Sequence, residues 1–198
     1  QLRDAMTTAA LTVAKAAGYY NAGTVEFILD DQGRFYFLEV NARLQVEHPI
    51  TEWITGLDLV REQIRIAAGE RLGFTQSDIQ RRGHAFECRV YAEDPARGFL
   101  PSPGTVLAWN APTGPGIRVD AGVTAQTIVS VYYDPLIAKL STWGQDREHA
   151  RRRMESALRQ CAVLGPTTNL PFLLDLVTHP ASVAGDTPTG FLHAHLSK

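Results

Sequence analysis

The chain has 198 residues, 44% of them apolar and 20% charged, which is ordinary for a globular protein with a buried core. Its formal net charge of −2 gives no global attraction to nucleic acid or to an anionic membrane. No apolar run approaches the length of a membrane span, and the first residues carry no signal-peptide pattern. Cys88 and Cys161 lie far apart within apolar patterns, as buried free thiols of a reducing compartment do. Helical periodicity starts directly after Gln1 with no capping residue ahead of it, as in a chain taken from something longer.

Leu2, Ala5, Met6, Ala9, Ala10, Val13 and Ala17 recur at helical spacing, and Gly18 supplies the stop. Two apolar and aromatic runs, 24–29 and 34–40, flank the polar turn Asp30-Asp31-Gln32-Gly33 and predict a β-hairpin. A helical stretch over 50–68 is interrupted near Gly56 and ended by Gly69. From 84 to 143 the chain reads as short strands: 84–91, 105–109, 117–119, 127–132 and 136–142, with Gly and Pro loops between them. Two helices follow, 147–161 behind Asp146 and 170–178 behind Asn169, both N-cap residue types, with Pro171 tolerated in the first turn. Arg151-Arg152-Arg153 reads as a solvated helix face. The fold class is α+β, with a boundary near 70–83.

The hairpin carries the chemistry. With Gln32-Gly33 as the central turn residues, Asp31 pairs with Arg34 and Glu26 falls opposite Glu39. Directly opposed residues share a face, with Cβ atoms roughly 4.5–5.5 Å apart, so two carboxylates there repel. Asn41 and then Arg43 continue that face at strand spacing. Two Glu and an Asn offer hard oxygens suited to Mg²⁺ or Mn²⁺, and an arginine beside them suits an anion. The plainer alternative is a polar face on which Arg43 offsets the glutamates. Glu47 could act as a general base beside an anion-binding arginine, whereas His48 before Pro49 reads as a structural hydrogen-bonder at a helix entry. In the strand 84–91, Phe86, Cys88 and Val90 share the core face and Glu87, Arg89 and Tyr91 the other, where Glu87 can pair with Arg89.

The strings FLEVNARLQVEHPITE (37–52), GHAFECRVYAEDP (83–95), FLPSPG (99–104) and YYDPLIAKL (132–140), in this order, resemble biotin carboxylase over essentially the whole chain. LGPTTNLPFLLD (164–175) is closest to α subunits of acyl-CoA carboxylases. The resemblance implies an ATP-grasp ligase that converts bicarbonate and ATP to carboxyphosphate and then carboxylates biotin on a carrier protein. It divides the chain into the C-terminal part of an ATP-grasp domain (1–70), a linker (71–82) and a biotin carboxylase C-terminal domain of antiparallel β-structure with packed helices (83–198). It implies that Glu26, Glu39 and Asn41 hold two Mg²⁺ or Mn²⁺ ions with ATP. Bicarbonate would lie on Arg43, Gln45 and the backbone of Val46, with Glu47 as the base and Arg89 contacting bicarbonate and the biotin enolate. Arg118 matches a dimer-interface position, though an ordinary strand arginine reads the same.

The expected partners are a biotin carboxyl carrier domain, a carboxyltransferase, the N-terminal half of the biotin carboxylase and a second copy in a homodimer. No nucleic acid or membrane partner is expected, and the compartment is the cytoplasm or the mitochondrial matrix. The three lysines, Lys15, Lys139 and Lys198, lie outside any Gly-rich nucleotide loop, and the two methionines, Met6 and Met154, form no biotinylation motif. The chain alone is therefore expected not to turn over ATP. Two rival readings are another ATP-grasp ligase and a folding or dimerisation module without catalysis.

Overall fold

The computed structural model describes residues 1–195. Lys198, and the end of the expected 83–198 domain, lie outside them. The fold is α+β with small antiparallel sheets, and the chain separates into two compact units, Gln1–Gln80 and Arg81 onward. Among the described residues no helix is long and apolar enough to cross a membrane.

The first unit runs α1 (Leu2–Ala16), β1 (Thr24–Leu29), β2 (Phe35–Asn41), α2 (His48–Thr55) and α3 (Leu59–Ala67). The stretch expected as one interrupted helix is two. Gly56 takes a left-handed conformation (φ 74°) that closes α2, and Asp58 opens α3 by accepting from the Arg61 amide at 2.8 Å. Glu52 reaches forward to the Leu59 amide, also at 2.8 Å, so the break is held by side chains from both helices.

The second unit is built on β3 (His84–Tyr91), the short strands β4 (Glu93–Asp94), β5 (Leu100–Pro101), β6 (Gly104–Thr105) and β7 (Ala108–Asn110), then β8 (Ile117–Ala121), β9 (Ile128–Val129) and β10 (Leu136–Gly144). It closes with α4 (Arg147–Gln160), β11 (Ala162–Leu164), α5 (Leu170–Thr178), α6 (Pro180–Ala184) and α7 (Phe191–His195). β10 is the centre of the sheet β3-β10-β8. Alternation turns Ala138, Leu140 and Thr142 inward, and with Cys88, Val90, Met154, Ala157 and Leu158 they form the core under α4. The Thr142 hydroxyl is satisfied by the Ala150 carbonyl at 2.9 Å.

The expected strand 105–109 is split, because the chain changes partners within it. Val106 donates to the Thr127 carbonyl and Leu107 to the Leu164 carbonyl, so β6 pairs with β9 and β7 with β11. The expected strand 127–132 keeps only Ile128–Val129.

The arginine run is not a solvated face. Arg151 is buried between Glu148 (2.8 and 2.9 Å), Glu155 and the Val177 carbonyl at the end of α5. Arg153 is half-buried and donates to the Trp143 carbonyl, and Arg152 is exposed, paired with Glu148. Both cysteines are buried and free. Burial, followed by the nearby Glu87 charge, pushes the Cys88 thiol up to about 12.

Two expectations follow. Leu140→Ala opens a cavity in the centre of the core and lowers the stability of the second unit by about 2–5 kcal/mol, read by urea unfolding through Trp109 and Trp143 fluorescence. Hydrogen bonds from Arg151 and Arg152 hold the Glu148 carboxyl down from 4.5 to about 2. A depressed carboxylate stabilises fully above its unfolded value and loses that contribution as pH falls through its folded one. Glu148→Gln therefore flattens the acid loss of stability between pH 4.5 and about 2, and an unchanged slope would contradict the assignment.

Candidate functional site

The hairpin turn differs from the expected one. Asp30, not Asp31, pairs with Arg34: the Asp30 amide donates to the Arg34 carbonyl at 2.9 Å, and Gly33 in a left-handed conformation (φ 76°) completes a three-residue loop. Asp30 Oδ1 accepts from the Gln32 and Arg34 amides at 3.0 and 2.8 Å, and Oδ2 takes the Arg34 Nε at 2.7 Å. The Arg34 amide and then its guanidinium hold the Asp30 carboxyl below its ordinary value. This loop puts Leu29 against Phe35 and Phe27 against Phe37. Taken alone, that register would move Glu39 away from Glu26. A bulge restores the pair: Leu38 is the extra residue, and beyond it Glu26 meets Glu39, Val25 meets Val40 and Thr24 meets Asn41. The expected pair forms, but through a turn one residue longer than expected and a bulge that cancels its shift.

Asn41 holds the two carboxylates together. Its Nδ2 donates to Glu26 Oε1 at 2.7 Å and to Glu39 Oε1 at 3.3 Å. Its Oδ1 accepts from Arg43 Nη2 at 3.3 Å, and Arg43 Nη1 donates to Gln45 Oε1 at 2.7 Å and the Leu44 carbonyl at 3.3 Å. Glu26, Glu39, Asn41, Arg43 and Gln45 thus form one connected polar chain. Glu47 is the residue from which α2 starts, and His48 places Nδ1 on the Gln45 carbonyl at 2.7 Å, which fixes the 43–48 loop as a structural histidine would. A cleft of about 290 Å³ is lined by residues including Gly23, Thr24, Arg43, Gln45, Glu47 and Thr51. Val46 and the two metal-expected glutamates are not among its lining residues.

The donor set suits a hard cation. Two carboxylate oxygens converge on one donor, the Asn41 amide nitrogen, which occupies the place of a shared positive charge. Among the described residues no three His, Cys, Asp or Glu side chains cluster as ligands. A cation at Glu26 and Glu39 would thus complete its shell with amide, water or phosphate oxygens, as Mg²⁺ commonly does.

Arg89 lies in the second unit, on β3, with Lys139 opposite it on β10 and Asp120 next in the row on β8. Asp120 accepts from Arg118 at 3.0 Å and from Lys139 at 3.5 Å, so Arg118 is bound within its own chain. Glu87, Ser141 and Arg118 form the neighbouring row. The core face of β3 is as expected, with Cys88 and Val90 buried.

Two positions escaped the sequence reading. A Cβ on Gly23 would lie 2.9 Å from Tyr19 Cε1 and 3.2 Å from the Asn41 carbonyl, so only glycine lets Tyr19 close against the hairpin end. Asn169, expected to cap its own helix, makes no such bond. Its side chain is buried and bonds β3 instead, at the Arg89 carbonyl (3.1 Å) and the Tyr91 amide (2.9 Å). Pro171 is the available signal: it removes one of the first-turn amides that an N-cap side chain serves.

Residues 87–194 match the biotin carboxylase C-terminal domain family, more than half of the chain. The chain belongs to the biotin carboxylase family. Residues 1–75 match the ATP-binding domain of the carbamoyl-phosphate synthase L chain. The chain is 52% identical to biotin carboxylase 2 of Bacillus subtilis over 99% of its own length and 44% of that protein's. It is 50% identical to the mitochondrial propionyl-CoA carboxylase α chain of Mus musculus, over 97% of its length and 27% of that chain's. It superposes with a TM-score of 0.93, at 46% identity, on the biotin carboxylase domain dimer of Hydrogenobacter thermophilus 2-oxoglutarate carboxylase, covering 98% of this chain and 43% of that one. That structure is a complex with MgADP, ADP and bicarbonate. The chain therefore spans less than half the length of these relatives.

The opposed glutamates carry a stability cost. Without a divalent cation, Glu39→Gln relieves the repulsion while its amide oxygen can still accept from Asn41, and raises the hairpin unit's stability by about 0.2–1 kcal/mol. Thermal unfolding in the presence of a chelator reads this, and a loss of stability would refute the repulsion argument.

Proposed function

We propose that this chain supplies the metal- and bicarbonate-binding part of a biotin carboxylase, an ATP-dependent ligase. In the assembled enzyme, bicarbonate and ATP give carboxyphosphate and ADP, and the carboxyl group then passes to N1′ of biotin on a carrier, with inorganic phosphate as the leaving group and loss of the N1′ proton. The observation that carries this reading is the bonded chain from Glu26 and Glu39 through Asn41 and Arg43 to Gln45, whose last two residues line one cleft with Glu47. It joins a cation-suited face to an anion-suited arginine, the juxtaposition that phosphoryl transfer to bicarbonate requires. The relative solved with MgADP and bicarbonate supports it.

Residues 1–70 act as the end of an ATP-grasp domain, 71–82 as a linker, and 83–198 as the biotin carboxylase C-terminal domain. Glu26, Glu39 and Asn41 hold Mg²⁺ or Mn²⁺. The bound ions neutralise charge on the ATP phosphates. Arg43, the Gln45 side chain and the backbone of Val46 orient bicarbonate by its negative oxygens. Glu47 removes the bicarbonate proton, so that the freed oxygen can attack the γ-phosphorus while ADP leaves, and it later takes part in proton transfer at biotin N1′. Arg89 contacts bicarbonate and places a fixed positive charge where the biotin enolate develops.

The partners in this reading are the N-terminal half of the carboxylase, a biotin carrier domain, a carboxyltransferase and a second copy of the chain. The dimeric relative and the multi-subunit relatives support that set. Bacterial and mitochondrial relatives both exist, so cytoplasm or mitochondrial matrix serves equally as the setting.

The test compares the assembled enzyme with its Glu47→Gln variant. Bicarbonate-dependent ATP cleavage and carboxylation of free biotin are expected, with kcat lowered by about 10²–10⁴-fold in the variant. ATP cleavage indifferent to biotin, with another nucleophile consumed, would favour a different ATP-grasp ligase. The isolated chain is expected to bind Mn²⁺ by calorimetry, to lose that binding with Glu39→Gln, and to show no ATP turnover.

A further inference from the structure

We infer that Asn169 is a positioning residue for Arg89, an inference that rests on the function proposed for Arg89 above. Among the described residues β3 is an edge strand, paired on one side with β10 and on the other with no strand of its sheet. Its paired side is irregular at the end that matters. β10 carries one extra residue there, Ile137, so that Leu136 faces Tyr91 and Ala138 faces Val90. A bulge loosens and bends the ladder at that point. The unpaired side is closed by one side chain. Asn169 Nδ2 donates to the Arg89 carbonyl at 3.1 Å, its Oδ1 accepts from the Tyr91 amide at 2.9 Å, and its own backbone amide donates to the Tyr91 carbonyl at 3.2 Å. Three bonds from one residue reproduce what a neighbouring strand would give, across the three residues from Arg89 to Tyr91.

The burial and chemistry of Asn169 fit this task. The residue is 6% exposed, and both ends of its amide are used on β3. It gives up capping α5 to do so. A primary amide is the side chain that presents a donor and an acceptor side by side, as a peptide edge does. Aspartate would set a carboxylate oxygen against the Arg89 carbonyl, and serine reaches only one of the two partners. Arg89 has a long flexible side chain, and the direction from which it leaves the strand is set by the φ and ψ of its own residue. Fixing the carbonyl of Arg89 and the amide of Tyr91 therefore fixes the base of the arginine, while its charge is left for its partners on the outer face. Asn169 touches no reacting atom; it acts through Arg89.

The test is a double-mutant cycle on the assembled enzyme, with free biotin as acceptor and thermal unfolding recorded in parallel. Asn169→Ala is expected to lower kcat/KM for biotin on the order of 10- to 100-fold, the scale of a displaced catalytic group. In an Arg89→Ala background the same change should alter kcat/KM by less than about two-fold, because no arginine remains to misplace. The fall in melting temperature should be the same in both backgrounds. If Asn169→Ala does not fold, Asn169→Ser, which keeps one of the two bonds, enters the cycle in its place and is expected to give a smaller loss with the same dependence on Arg89. Equal losses of activity with and without Arg89 would make Asn169 a purely structural residue and overturn the inference. So would an unchanged kcat/KM in the single variant. An Arg89→Ala enzyme with undiminished carboxylation would instead remove the role proposed for Arg89, a failure distinguishable from the other two.

Discussion

Side chains alternate along a strand, so one unpaired residue exchanges the faces of everything beyond it. In the hairpin that residue is Leu38. On the turn side of Leu38 the register brings Phe27 into edge contact with Phe35 and Phe37, and on the other side it brings Glu26, Glu39 and Asn41 together. Without the bulge, a three-residue loop closed by Asp30 would oppose Glu26 to Leu38, and the polar chain running to Arg43 and Gln45 would have no start. The aromatic packing and the carboxylate pair thus require different registers of the same two strands, and the bulge reconciles them.

The carboxylate pair in turn explains Asn41. Two glutamates directly across a ladder repel, and an amide that donates to both lowers that cost without adding a charge that would compete with a bound cation. The other end of the same amide accepts from Arg43. A change in what lies between the glutamates must therefore reorient Asn41 and be felt at Arg43, and through it at Gln45. These residues are connected by hydrogen bonds of 2.7–3.3 Å across the end of the hairpin and into the loop after β2, and not by proximity alone.

Periodicity was enough to read α1, α4 and α5, the hairpin and the long strands β3 and β10, whereas α2 and α3 read as one interrupted stretch and the short elements β11, α6 and α7 carry too few residues for a period to show. The pair of Glu26 and Glu39 was legible too, but by compensation: the loop is one residue longer than the two-residue turn the sequence suggests, and the bulge contributes the opposite shift. Neither Leu38 nor Ile137 is a residue type that announces a bulge. The split of 105–109 was hidden because a strand's pattern reports its faces and not which neighbour it bonds. Arg151 was misread for a related reason. Three consecutive arginines point in three directions around a helix, and the run says nothing about which one meets the core. Asn169 looked like a cap because its local sequence is that of a cap, whereas its partners lie 78 and 80 positions away along the chain.

In the central sheet of the second unit, strand parity separates the core from the charged residues. β3 gives Cys88 and Val90 to the core and Glu87 and Arg89 to the opposite face; β10 gives Ala138, Leu140 and Thr142 to the core and Lys139 and Ser141 to the opposite face. The arrangement lets charged residues stand in rows without burying them in the core, provided the strands stay in register. The bulges in the β1–β2 and β3–β10 pairings break such register, and each lies beside a residue for which a role is proposed: Leu38 next to Glu39, and Ile137 across from the strand end that follows Arg89. Each is also held by more than the ladder. At the first, Asn41 bonds the two glutamates; at the second, the Ile137 carbonyl accepts from Gly122 while Asn169 secures the far edge of β3. A bulge re-aims a side chain but leaves its strand less constrained. In both places an asparagine amide supplies the added bonds, to two carboxylates at the first and to the backbone of β3 at the second, and a carboxamide does so without a charge that would perturb its neighbours.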